Sequence, residues 1–496
     1  MPDTRLWIRG GTVITGQGER SADLLVEGER IAAIEDRPEG AAEKRRPPAT
    51  GAAGATGATG ATGAAGPAGP AEADALDARG LWILPGGVDA HVHMGMPLRP
   101  GVRSLGWRES TTAALLGGTT TVVDFANPER GESLADAVDR TLAQAERESL
   151  CDFALHVTVP EATEQRLAEI PALVARGFPT FKAFLAYKGR LMLTPPELER
   201  VMLAVKDAGG RLLVHAEDGE AVAQAEAQLE HTGRIGPEWF PSAHPASAEI
   251  RAVETTIALA ARTGCPVTLV HLTLAASLEA VLRERRATAL APDALTAEVC
   301  LHHLFQSAVL YRSGYDAALR AILSPPLRTP ADADALLGAL AAGDIDLLST
   351  DHCEFPLAIK RQEAMHGFTS IPNGAGGVGE RLIVSYSLGV CRGRLSPETW
   401  VRACCERPAA LMGLGGRKGR VEVGADADLI LFDPAAKGTR LPIGPGDPTS
   451  RLWTGATWQG AVRHVLRRGA SAVRAGARSS GLVRGAFLAR PAGRAA

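Results

Sequence analysis

No stretch of this 496-residue chain approaches 18 uninterrupted apolar residues, so a membrane-spanning helix is not expected. Its opening residues, MPDTRLWIRGGTVITG, lack the apolar core that a secretory leader needs. An excess of charge of one sign is missing as well. Lys and Arg number 53 against 56 Asp and Glu, a net charge of −3, and the basic residues are scattered. That excludes the electrostatic footprint of a nucleic-acid or anionic-membrane binder. The seven cysteines (Cys151, Cys265, Cys300, Cys353, Cys391, Cys404 and Cys405) are odd in number and follow no disulfide-scaffold or zinc-ribbon spacing. Several lie inside apolar runs, as reduced, packed thiols do. These absences together describe a soluble cytoplasmic protein with neither nucleic acid nor membrane as a partner.

What is present is enough for a large core. Hydrophobic residues make up 45% of the chain and charged ones 22%, and the length calls for one large domain plus a smaller one. Residues 5–34 alternate short strand-like pieces with turns (LWIRGG, TVIT, DLLVEGERIAAI), the texture of a β-meander. Residues 41–73 then become Ala/Gly/Thr/Pro repetition, which cannot bury enough surface to offset its ordering entropy; it reads as an inserted linker with no catalytic role. From Leu84 onward strand-like runs alternate with helical ones. Strand ends are expected at His93, Asp124, His156, Lys182, His215, His271, His302 and Asp351, with helices such as 133–149, 161–176, 195–208 and 246–263 between them. Eight such units predict an α/β fold, a (β/α)8 TIM-like barrel over 84–418. The tail returns to β texture (GRVEVGADADLILFDP, then AVRHVLRRG), so residues 1–83 and 419–496 are expected to form one small β-sandwich from both chain ends.

Six of the barrel's polar residues stand at the C-terminal ends of apolar runs: His91 and His93 in GGVDAHVH, Lys182 in PTFKAF, His215 in RLLVH, His271 in PVTLVH and Asp351 in IDLLSTD. In a parallel barrel those ends converge on one mouth. His91 and His93 are two apart, so on a strand both imidazoles project to one side. An H-x-H alone is a weak signal, and His215 or His271 alone is an ordinary core histidine. Three separate strands delivering His at one depth, with a fourth delivering Asp, is a different matter. Neutral imidazoles and a carboxylate suit Zn²⁺ with an open place for water. Lys182 is the odd member, since an ammonium repels metal ions, but burial lowers a lysine's pKa. A neutral amine can add CO2 to become a carbamate with one oxygen for each of two metals. The pattern is that of a two-metal hydrolase.

The motifs PGGVDAHVHMGMP, ALLGGTTTVVDFA, FKAFLAYKG, LLVHAEDGE, VHLT, SPPLR, STDHCEF, FTSIPNGAGGVGERL and GADADLILFDP follow one another along nearly the whole chain. In this order and spacing the chain resembles the amidohydrolase superfamily, and within it the dihydropyrimidinase and D-hydantoinase family. The 41–73 repetition is an insertion relative to that pattern. The resemblance implies two Zn²⁺ ions per chain, one held by His91 and His93 and the other by His215 and His271. Lys182 would be the N6-carboxylated bridge, and Asp351 both a ligand and the proton-transferring base. Tyr187 would polarise the substrate carbonyl, while main-chain groups at Ser324 and Asn373 would hold the cyclic amide. The implied reaction opens the ring amide of a dihydropyrimidine or 5-substituted hydantoin to an N-carbamoyl amino acid. A homotetramer or homodimer is implied as well.

Allantoinase and dihydroorotase share such a fold and metal pair. Gly95 stands where dihydroorotases carry an arginine, which argues against that activity, and FLAYKG with IPNG favours the hydantoinase side over allantoinase. A non-catalytic assembly protein of the same fold would have lost metal ligands, and all six are kept here. Loops 94–106 and 185–195 are expected to line the side-chain pocket. His352 is expected to point away from Asp351 by strand alternation, and Asp124 to be a buried hydrogen-bonding residue. His156, His302 and His303 fall at strand ends, with nothing to separate a supporting role from packing. His231, His244 and His366 fall in loops and are expected to be solvated.

Overall fold

Eight short apolar runs become eight parallel strands in the computed structural model, which describes residues 5–38, 74–129, 131–288, 291, 293–440 and 449–491. The 41–73 repetition lies outside the described residues. The strands are β1 (Gly87–Val92), β2 (Thr119–Ala126), β3 (Asp152–Thr158), β4 (Thr180–Phe184), β5 (Arg211–His215), β6 (Val267–Leu269), β7 (Leu295–Cys300) and β8 (Leu347–Ser349). Each pairs with its neighbours in chain order. Every residue of β1, β2, β3 and β4 is buried, because helices cover one face and the barrel interior the other. The helices between them begin and end on local signals. Ser133 accepts from the Asp136 amide at 3.0 Å to start Leu134–Glu148, and Ala246–Thr263 stops at Gly264 with φ of 69°.

The last strand returns to the first through side chains as much as backbone. The His93 amide donates to the His352 carbonyl at 2.7 Å, and Thr350 Oγ1 donates to Asp89 Oδ2 at 2.7 Å. Arg381, fully buried, donates from Nη1 to the Val88 and Leu348 carbonyls, each at 2.8 Å. One guanidinium therefore holds β1 and β8 together.

Both chain ends build a second, nine-stranded sheet. Arg5–Thr15, Gly18–Glu27 and Arg30–Asp36 form the expected meander. Trp82–Pro85 lies parallel to the first of these and antiparallel to Leu429–Asp433, beyond which come Ala461–Arg467, Ala470–Arg474 and Ala477–Arg478. Ile8, Val13, Leu24, Val26, Ile83 and Leu431 fill a core of their own in this small β-domain. The chain crosses from it to the barrel at Gly86, where a Cβ would stand 2.3 Å from Thr120 Oγ1, so only glycine fits.

The tail after this sheet takes a different place. Residues 485–490 run under the barrel, with the Phe153 amide donating to Ala486 O at 3.0 Å and the Leu488 amide to Phe153 O at 2.8 Å. Leu488 joins Val88, Ala90, Val123, Ala154 and Leu347 in an apolar cluster that closes the floor opposite the histidines. No helix of the described residues is long and apolar enough to cross a membrane. All seven cysteines are free, and six of them are buried.

Candidate active site

His91 and His93 leave β1 on the same side, as the two-residue spacing requires. Their Nε2 atoms stand 3.2 Å and 3.0 Å from one oxygen, Asp351 Oδ1, which comes from the loop just past β8. One donor atom from each of these three residues lies within 4.8 Å of the others, close enough to hold a metal ion. His271, just past β6, has its ring centroid 5.6 Å from that of His91 and 4.5 Å from that of His215 at the end of β5. Lys182, inside β4, sets its Nζ 5.5 Å from the Phe125 ring and 5.0 Å from the Phe184 ring. Its charge is felt by His93, His215, His271 and Asp351 alike. Six side chains from five strands thus meet at one end of the barrel.

The backbone is bent to bring them there. Tyr187, His271 and Asp351 have φ of 64°, 40° and 46°, three of five described non-glycine residues in that region. Such conformations cost of order 1–3 kcal/mol each and persist only where the surroundings enforce them.

Electrostatics sort the side chains by role. Burial draws the His93, His215 and His271 imidazoles below the usual histidine value, so each presents a neutral ring. Burial alone would raise the Asp351 carboxyl, but His91, His93 and Lys182 outweigh it and hold Asp351 well below the carboxylate range. Burial lowers Lys182 to about 8, against the pull of Asp351 and Glu298, and its Nζ has no hydrogen-bond partner among the described residues. A buried amine with a lowered pKa and no partner among the described residues, next to four imidazoles and a carboxylate, fits a lysine that could be carboxylated to help hold metal ions. Burial raises the Tyr187 phenol despite a hydrogen bond with Ser324, leaving a protonated donor beside His215, with ring centroids 5.3 Å apart.

Two buried glutamates that sequence reasoning passed over hold this set in place. Glu298, on β7, accepts from His91 Nδ1 at 2.8 Å and from the His271 amide at 3.0 Å. Glu217 takes His215 Nε2 at 2.8 Å, His244 Nδ1 at 2.9 Å and the Ser324 hydroxyl at 2.9 Å. A carboxylate on the far nitrogen fixes which face of an imidazole is left for a metal. The signal was there in both cases: an acid inside the apolar run ALTAEVC, and one two residues beyond His215.

Ser324 and Asn373 sit on loops that touch, the Gly374 amide donating to Ile322 O at 2.9 Å. Ser324 is buried and Asn373 half-buried. His352 does point away, its Nε2 toward Ser110 Oγ at 3.1 Å, and Asp124 is the expected buried acceptor, taking the Met94 amide at 2.8 Å and the Phe125 amide at 2.5 Å. His156 is structural, bonded to Thr180 Oγ1 at 2.7 Å and Ala90 O at 2.9 Å. Two expectations need correction. His244 is buried against Glu217, whose Oε1 takes its Nδ1, whereas His231 and His366 are exposed as expected. β7 ends at Cys300, and His302 and His303 lie on the short helix Leu301–Phe305, where His303 Nε2 reaches Pro325 O at 3.2 Å.

The profile of the amidohydrolase family matches residues 82–471. The chain belongs to the amidohydrolase family. Among the relatives of this amidohydrolase are a D-hydantoinase of Ralstonia pickettii, 32% identical with 87% of this chain and 86% of that one aligned. A dihydropyrimidinase of Dictyostelium discoideum is 32% identical over 72% of this chain and 71% of its own length. The crystal structure of dihydropyrimidinase from Brevibacillus agri NCHU1002 superposes with a TM-score of 0.87 at 28% identity, covering 99% of both chains.

Proposed function

We propose that this amidohydrolase is a binuclear zinc enzyme that hydrolytically opens the ring amide of dihydropyrimidines or 5-substituted hydantoins, releasing N-carbamoyl amino acids. The observation that carries the reading is the unpartnered Lys182 Nζ amid four histidines and Asp351, with Tyr187 and Ser324 beside them. Relatives named for exactly this substrate class support it. His91, His93 and Asp351 would hold one ion and His215 and His271 the other, with carboxylated Lys182 between them. When bound, two such ions supply Lewis acidity toward a carbonyl and acidify a water to near neutrality.

The remaining chemistry belongs to the chain's own groups. The Tyr187 hydroxyl donates to the carbonyl oxygen as negative charge develops on it, an interaction that strengthens toward the transition state. Asp351, kept ionised by its neighbours, accepts the proton of the attacking water and returns it to the departing ring nitrogen. Main-chain groups at Ser324 and Asn373 would hold the planar amide while this happens. The active unit is read as a cytoplasmic homo-oligomer, and the barrel and β-domain are taken to divide near residues 83 and 419.

A hydrolysis panel on zinc-loaded protein tests the reading: dihydrouracil, both enantiomers of a 5-substituted hydantoin, allantoin and dihydroorotate. Turnover of dihydrouracil or a hydantoin, lost on chelation and restored by zinc, is expected. Turnover of allantoin alone, or of nothing, would overturn it.

A further inference from the structure

We infer that Lys360 is a positioning residue for substrate binding, its ammonium clamping the Ser324 loop against the Asn373 loop. Lys360 lies on the helix Leu357–Glu363 and is completely buried. Its Nζ donates to three main-chain carbonyls: Leu319 O at 3.1 Å, Ile322 O at 3.0 Å and Gly374 O at 2.7 Å. An ammonium has three protons, and here each finds an acceptor. Ile322 is two residues before Ser324, and Gly374 directly follows Asn373. The same Ile322 carbonyl also accepts the Gly374 amide at 2.9 Å, so the two loops meet at one point and Lys360 is the side chain that pins it.

The arrangement is unusual for a buried lysine. No carboxylate opposes it among the groups that perturb it; burial drives its pKa down to about 7, resisted only by the Cys353 thiol. An apolar residue would fill the space of its stem without desolvating a charge, so stability alone does not call for lysine at this position. What lysine adds is a fixed distance between two backbone segments. That is what a site needs when main-chain groups, which no rotamer can adjust, must hold a planar ring from two loops at once. Lys360 touches none of the six metal-site residues, so its effect should fall on substrate binding and leave the metals alone.

The inference rests on the reading of these loops as the substrate's hold, and the test separates the two. In Lys360→Met the stem remains and the three donors are lost. Hydrogen exchange on the full-length protein should show the Gly374 amide and the 319–325 segment exchanging at least about tenfold faster than in the parent, the scale of losing bonds to a charged donor, with the barrel strands unchanged. On the cyclic amide that the parent turns over best, KM should rise about tenfold or more while kcat stays within about threefold and metal content is unaltered. Lys360→Gln keeps two donors and should fall between the two in both readouts, which a merely space-filling role would not produce. Parent-like exchange in the loops, or a KM within about twofold of the parent's with metal retained, overturns the inference. A parent that hydrolyses no cyclic amide would overturn the functional reading instead, and the exchange measurement would still decide the clamp.

Discussion

The proposed two-metal site rests on a single lysine, Lys182, and that reading can be tested by replacing it with the other long cation. Arginine keeps the length of Lys182 but stays charged at every accessible pH and cannot take up CO2. Lys182→Arg is expected to hold fewer than two metal ions per chain and to lose activity by more than about a hundredfold, beyond the usual loss for an outer-shell partner. Elemental analysis with a rate assay checks both, and full activity in that variant would remove the bridge from the mechanism. Tyr187→Phe removes one hydroxyl and should lower kcat by about 10²–10³ with both metals bound and KM little changed, the scale of one oxyanion donor. An unaltered kcat would mean that the carbonyl needs no help from the phenol. At this scale the sequence was readable wherever a residue announces its own chemistry. An H-x-H or a lysine in an apolar run stands out by type. Glu298, Glu217 and Lys360 stand out less, because much of what they hold lies elsewhere on the chain: Glu298 meets His91 across 207 residues, and Glu217, two residues past His215, also meets Ser324 across 107.

Strands and helices were legible for a related reason. The barrel strands are buried on both faces almost throughout, so they read as largely apolar runs, and the helices carry their own caps and stops. The tail segment 485–490 was not legible, because it packs by backbone hydrogen bonds and a few apolar contacts with no periodicity to betray it. Closure of the barrel also lay beyond a local reading, since it depends on Arg381 reaching carbonyls on both β1 and β8. Burial already raises the Asp89 carboxyl, with Arg381 the main group opposing it. Arg381→Met would leave that acid without its counter-charge and the two end strands without their shared donor. A loss of about 3–5 kcal/mol is expected, the usual result of breaking a buried pair from one side. It should appear as a lower melting temperature, with the β1 and β8 amides exchanging first. A variant melting with the parent would mean that the backbone bridge at His352 closes the barrel unaided.

At the scale of the whole molecule, a buried cation lies where the barrel and the β-domain meet. Lys418 Nζ bonds Asp152 Oδ2 of the barrel at 2.6 Å and Asp428 Oδ2 at the edge of the β-domain at 2.9 Å. Arg468 adds a 3.0 Å contact to the same Asp152 oxygen, and Arg467 donates to Leu150 O at 2.7 Å, so the two units share one polar seam. Burial would raise Asp152 above its ordinary 3.8, but Lys418, Arg468 and Arg467 outweigh it and hold the folded value lower. A carboxyl depressed on folding contributes stability that is fully present above its unfolded pKa and is lost as pH falls through its folded one. Lys418 is shifted the other way, upward, by Asp428, Asp152 and Asp426 despite burial, so its contribution is present at neutral pH and is lost only in strong alkali. Lys418→Met should therefore lower stability at pH 7 by about 3–5 kcal/mol, since it strands a cluster of buried acids. The gap between parent and variant should then narrow as pH drops below about 4 and on through the depressed folded value of Asp152, where that carboxyl takes up its proton. Melting temperatures from pH 8 down to 3 trace this. A gap that stays constant to pH 3 would mean that the seam is held by packing, and that the charges across it contribute nothing to joining barrel and β-domain.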